Sequence, residues 1–98
     1  MKEISAKEVQ QRLEGGERLN ILDVREIEEY HGGHIPGAVN IPLGLLPIRM
    51  NELSKDKPYI VVCLAGGRSA LATTILENNG FNATNMIGGM SAWEGEVE

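Results

Sequence analysis

An open α/β sheet is the fold this sequence predicts, and three observations carry that prediction. Short apolar segments at 19–24, 38–41, 59–62 and 84–87 read as strands. Segments with helix-forming composition fall between them, and strands alternating with helices imply parallel crossovers. The run Tyr59-Ile60-Val61-Val62 is continuously apolar, which suits a central strand covered on both faces.

The elements follow in chain order. Ser5 and Glu8 have capping-box spacing, and Ile4 and Val9 occupy the staple positions, so a helix begins at Ala6. Ala6, Val9 and Leu13 recur at helical spacing, and Gly15-Gly16 can take the left-handed turn that ends it. After the strand at 19–24, the charged stretch 25–30 fits one or two helical turns closed by Gly32-Gly33. His34-Ile35-Pro36-Gly37 is a tight-turn sequence. The strand at 38–41 stops at Pro42, which has no ladder donor. Residues 43–53 are apolar without a clean period and contain Gly44 and Pro47, which predicts an irregular helix. The segment 69–79 is the clearest later helix, with Leu71, Ala72, Ile75 and Leu76 as its apolar stripe and Gly80 at its end. A last strand at 84–87 and a terminal helical turn at 90–95 complete the chain. No repeat or linker interrupts it.

The 98 residues make one domain, 1–98. The uncharged run 35–48 is broken by Pro36, Pro42 and Pro47 and falls short of the roughly 20 apolar residues of a membrane helix. No membrane association is expected. A single cysteine excludes an internal disulfide and, with two histidines, the usual Cys-rich zinc sites. No metal and no cofactor is expected. The N-terminal residues lack an apolar signal core, and the free thiol suits a reducing compartment, so the expected location is cytoplasmic. Fourteen acidic against nine basic residues give a net charge of −5, which argues against nucleic acid as a partner. Any anion must be captured by a local feature.

That feature is the sequence Cys63-Leu64-Ala65-Gly66-Gly67-Arg68-Ser69, which joins the end of the central strand to the start of a helix. In open α/β sheets this crest is where ligands bind. First-turn helix amides lack intrahelical partners and carry the positive end of the dipole. Gly66 and Gly67 let successive N–H groups curl into an anion nest. Arg68 adds a permanent cation able to reach an oxyanion bidentately. A thiol there is expected to ionise more readily than an ordinary cysteine.

Five ordered blocks span nearly the whole chain: Asp23-Val24-Arg25 with Glu29-Tyr30; Gly33-His34-Ile35-Pro36-Gly37-Ala38 with Asn40-Ile41-Pro42; the Cys63 loop; Gly80-Phe81; and Gly88-Gly89-Met90 with Ala92-Trp93. In these blocks the sequence resembles the single-domain rhodanese family of sulfurtransferases. The resemblance implies an open, mainly parallel five-stranded sheet with helices on both faces. It implies that Cys63 accepts sulfur from a small anionic donor such as thiosulfate, forming a persulfide cradled by Leu64, Ala65, Gly66, Gly67, Arg68 and Ser69, with Arg68 helping to bind the donor. Cyanide, a thiol or a protein then takes the sulfur. With no second cysteine in the chain, that acceptor comes from outside.

Four residues separate Cys63 from Arg68, whereas related phosphatases have five, and the shorter loop suits a sulfur atom. Arg68 is the loop's only cation, where many members with strong thiosulfate activity carry further basic residues. Arg49 could border the site, and Leu43, Leu45 and Leu46 could form either core or a rim for a partner. Asp23 and Arg25 resemble the family's fold-stabilising pair, and Glu29, one turn beyond Arg25, is placed to bridge it. His34 is expected to be structural, His31 exposed, Tyr30 and Trp93 packing residues, and the Glu26-Glu28-Glu29 cluster a solvated face. Two other classes stay open: a persulfide carrier or binding module, and a redox sensor using the same thiol. Oligomeric state is not legible in the sequence.

Overall fold

The computed structural model describes residues 1–98. In chain order they form β1 (Lys2–Ser5), α1 (Ala6–Glu14), β2 (Ile21–Asp23), α2 (Ile27–His31), β3 (Val39–Asn40), α3 (Leu46–Arg49), β4 (Pro58–Val62), α4 (Gly67–Asn78) and β5 (Asn82–Ile87). Single 3-10 turns flank α3 at Leu43–Leu45 and Met50–Glu52, and another follows β5 at Gly89–Ala92. The strands lie in the order β1-β5-β4-β2-β3, every neighbouring pair parallel. β4 is the central strand.

Strand side chains alternate between faces, and β4 divides two cores by that rule. Val61 and Cys63 join Leu22, Val24, Leu46, Leu76 and Ala83 on the face covered by α3 and α4. Ile60 and Val62 join Ile4, Val9, Ile21, Ile35 and Met86 on the face covered by α1. Each fully buried aliphatic side chain contributes roughly 1.5–3 kcal/mol relative to exposure. The α/β sheet is five-stranded, with helices on both faces.

Helix α1 begins as its residues dictate. The Glu8 amide donates to Ser5 Oγ at 3.0 Å. The Glu8 carboxylate accepts from Arg12 at 2.8 Å instead of reaching back to Ser5. Residues 43–52 are irregular as expected, with Leu46 buried, Leu43 partly buried and Leu45 exposed. No helix is long and apolar enough to cross a membrane.

Two elements differ from the sequence expectation. β1 pairs with β5 at Lys2↔Thr84 through Ser5↔Ile87, where the residues alone predict no strand. It is an edge strand with only Ile4 buried, and its charged Lys2 and Glu3 erase the apolar signature a strand search relies on. Helix α4 buries Ser69, Ala72, Thr73 and Leu76, while Leu71 is 54% exposed. The inward face includes Ser69, whose hydroxyl lies 3.3 Å from the Cys63 sulfur, and Leu71 falls outside it.

Candidate active site

Cys63 follows the last residue of β4 and points into the α4-side core, with the residue only 1% exposed. Gly66 adopts φ +108°, a left-handed conformation glycine tolerates, and this aims its amide at Sγ at 3.0 Å. Ser69, in the first turn of α4, places Oγ 3.3 Å from Sγ. Burial pushes the Cys63 thiol up; the Ser69 hydroxyl and the amides of Ser69, Gly66 and Ala65 outweigh it, holding the thiol below its ordinary value. No carboxylate or imidazole hydrogen-bonds the sulfur. The amides of Leu64, Gly67 and Arg68 make no hydrogen bond to Sγ, and Leu64 is 45% exposed at the loop's outer edge.

The loop is fixed from below by the turn after β5. Met90 N–H donates to the Cys63 carbonyl and Ser91 N–H to the Leu64 carbonyl, both at 2.8 Å. Gly89 makes this approach possible, since a Cβ there would lie 2.4 Å from the Cys63 oxygen. Asn85, on the central part of β5, accepts from Ser69 Oγ at 2.5 Å. Neither contact follows from the sequence motifs. Asn85 had one legible signal: it is a polar residue two positions from Ala83 in a strand, and thus on the same buried face.

The loop cation is not free. Arg68 donates to both Glu29 carboxylate oxygens, at 2.7 and 2.9 Å. Beside this guanidinium the Glu29 carboxyl falls from its ordinary 4.5 to about 2, assisted by the Glu26 amide. The expected Glu29–Arg25 bridge does not form. Arg25 lies before the helix, so the spacing rule does not apply, and its guanidinium instead chelates Asp23 at 2.7–3.1 Å and donates to the Gly33 carbonyl at 2.8 Å. Glu29 is therefore no mere solvated residue. Glu26 caps α2, while Glu28 is exposed as expected.

The remaining candidates stand apart from the sulfur. His34 donates from Nδ1 to the Tyr30 carbonyl at 2.8 Å, stacks on the Tyr30 ring at 3.7 Å, and has Nε2 3.5 Å from Glu98. His31 is exposed. Tyr30 and Trp93 pack against the α1-side core. Arg49 is paired with Glu52 at 2.9 and 3.0 Å and lines a groove with Glu26, Pro42 and Leu45 that does not include Cys63. No group of three or more His, Cys, Asp or Glu side chains is placed to hold a metal ion.

The chain has counterparts among known proteins. The rhodanese-like domain family matches residues 5–96. A Bacillus subtilis protein named "Putative sulfurtransferase YtwF" is 44% identical over 98 residues, covering 100% of this chain and 95% of its own. A second, "Putative sulfur carrier protein YrkF", is 44% identical over 97 residues, covering 98% of this chain and 52% of its own. The crystal structure of a rhodanese-like domain protein from Staphylococcus aureus superposes with a TM-score of 0.93 at 40% identity, covering 100% of this chain and 97% of that one. The chain belongs to the rhodanese-like domain family, and it shares that domain with relatives named as a sulfurtransferase and as a sulfur carrier protein.

Proposed function

We propose that Cys63 accepts sulfane sulfur from a small donor such as thiosulfate and passes it, as a persulfide, to an external thiophile. The single observation that carries this reading is the hydrogen-bonded Cys63 sulfur, facing the Gly66 amide and the Ser69 hydroxyl at the N-terminus of α4. The Cys63 thiolate attacks the outer sulfur of thiosulfate. A bond forms between Sγ and that sulfur, the bond to the sulfonate breaks, and its electron pair leaves on sulfite. The outer persulfide sulfur then carries the negative charge towards the loop amides. Cyanide or a thiolate attacks it, the sulfur–sulfur bond breaks, and the pair returns to Sγ. No general base is required once the thiol is ionised. A reducing cytoplasm would keep such a thiol free.

Thiosulfate treatment of the wild-type chain is expected to add the mass of one sulfur atom, removable by cyanide, and to add nothing to Cys63→Ser. An unchanged wild-type mass across thiosulfate and persulfide donors would refute the reading.

A second reading, a carrier that takes and delivers sulfur through partner proteins, is favoured by one observation. Glu29 neutralises Arg68, so the loop has no unpaired cation for a free oxyanion. Faster persulfide discharge to a protein thiol than to cyanide would support the carrier; the reverse would support the small-molecule enzyme.

A further inference from the structure

The Ser69 hydroxyl has one proton and three acceptors within reach. They are Cys63 Sγ at 3.3 Å, the Gly66 carbonyl at 3.2 Å and Asn85 Oδ1 at 2.5 Å. Ser69, Cys63 and Asn85 are 0%, 1% and 4% exposed, so solvent does not relieve the competition. As the side chains stand, the proton goes to Asn85, and the Cys63 S–H can donate to Ser69 Oγ. That arrangement serves a thiol. A thiolate or a persulfide keeps the Gly66 amide in that arrangement but lacks the hydroxyl proton, the stronger form of the Ser69 contact for an anion.

We propose that Asn85 is a positioning residue whose amide turns over when the sulfur becomes anionic, donating to Ser69 Oγ and thereby releasing the Ser69 proton to the sulfur. A carboxamide presents an acceptor on one edge and two donors on the other, and a half-turn about its broad terminal torsion exchanges them. With N–H facing Ser69, the hydroxyl proton is left to choose between Sγ and the Gly66 carbonyl. The anionic sulfur takes it, because hydrogen bonds to charged acceptors are about twice as strong as neutral ones. One side chain thus satisfies the buried hydroxyl in both states of the sulfur. This also accounts for a polar residue on a strand face otherwise lined by Ala83 and the apolar residues of β4, where an unpartnered amide would be costly. Aspartate, an acceptor only, could serve the thiol but not the anion.

The inference deepens the reading of Cys63 as a nucleophile, and its test uses no sulfur donor, so the two can fail separately. The rate of Cys63 alkylation by iodoacetamide is measured against pH in the wild type, Asn85→Leu, Ser69→Ala and the double variant. Asn85→Leu is expected to raise the midpoint by about one pH unit, a roughly tenfold loss of thiolate below it. In the Ser69→Ala background the same change should have no effect, because the influence runs through the hydroxyl. A midpoint unchanged or lowered by Asn85→Leu would overturn the proposal, since it would mean that Asn85 only competes for the proton. Should that variant not fold, the wild type decides: the Asn85 side-chain amide resonances should titrate with the Cys63 midpoint and stay fixed in Cys63→Ser. Resonances that do not move with Cys63 would equally sink it.

Discussion

A single carboxylate decides what the loop's guanidinium can do. Glu29 holds Arg68 through two hydrogen bonds and accepts a third from the Glu26 amide at 3.0 Å, so one side chain both starts α2 and ties it to α4. Its folded-state value of about 2 lies below its ordinary 4.5. A depressed carboxylate stabilises the fold above its unfolded value, and that stabilisation is lost as pH falls through the folded one. Both partners are about one-third exposed, so solvent screening limits the pair to at most about 1 kcal/mol. Glu29→Gln should therefore be slightly less stable than the wild type at pH 7 in urea unfolding, with the gap closing between pH 4.5 and 2. A gap that does not change with pH would show that the ion pair contributes nothing. The sequence placed both residues but paired Glu29 with Arg25, because the true partner is 39 residues away and no local spacing rule connects them.

At the scale of elements, the turn after β5 is as much a part of the sulfur site as the loop it supports. Gly89 sits at φ +55° with the Cys63 carbonyl where its Cβ would be, and the obstruction is backbone that no side-chain adjustment can relieve. Gly89→Ala combines left-handed strain of about 1–3 kcal/mol with displacement of the loop. A loss of at least 2 kcal/mol, of that same order, is expected in thermal or urea unfolding, together with slower alkylation of Cys63. Gly44→Ala, with open space around it and ordinary φ, should stay within about 0.5 kcal/mol of wild type. If the two variants behaved alike, the turn would not be holding the loop. The sequence displayed Gly88-Gly89 as a family pattern and could not say what it touched. Elsewhere elements were legible in proportion to their burial. β4, buried on both faces, shows as an unbroken apolar run; β1, with one buried residue, does not show at all. In helix α4 the expected Ala72, Ile75 and Leu76 do face the core and only Leu71 does not; Ser69 and Thr73 complete the inward face by hydrogen bonding, which apolar periodicity cannot register.

Over the whole molecule, charge and size set how an anion approaches the sulfur. The chain carries −5, and four of its five arginines, Arg12, Arg25, Arg49 and Arg68, are each held by a carboxylate. The molecule measures 30 × 27 × 20 Å. At about 0.01 M salt the screening length is about 30 Å, so every charge on the molecule acts at the loop; at 0.15 M it is about 8 Å, and only the loop's own surroundings act. The local groups there are amide dipoles, the Arg68–Glu29 pair and the Glu26 carboxylate, while the distant ones are net acidic. An anionic reagent should consequently be repelled at low salt and admitted as salt rises. Alkylation of Cys63 by iodoacetate is expected to accelerate on the order of a few-fold between these salt concentrations, while alkylation by neutral iodoacetamide stays level. A decrease in the iodoacetate rate with salt would mean that Arg68 still presents net positive charge to the entering anion. Because the neutral reagent corrects for any change in thiolate fraction, the ratio of the two rates isolates the field from the chemistry, and the same measurement on Glu29→Gln should abolish or invert the salt dependence by returning Arg68 to the loop.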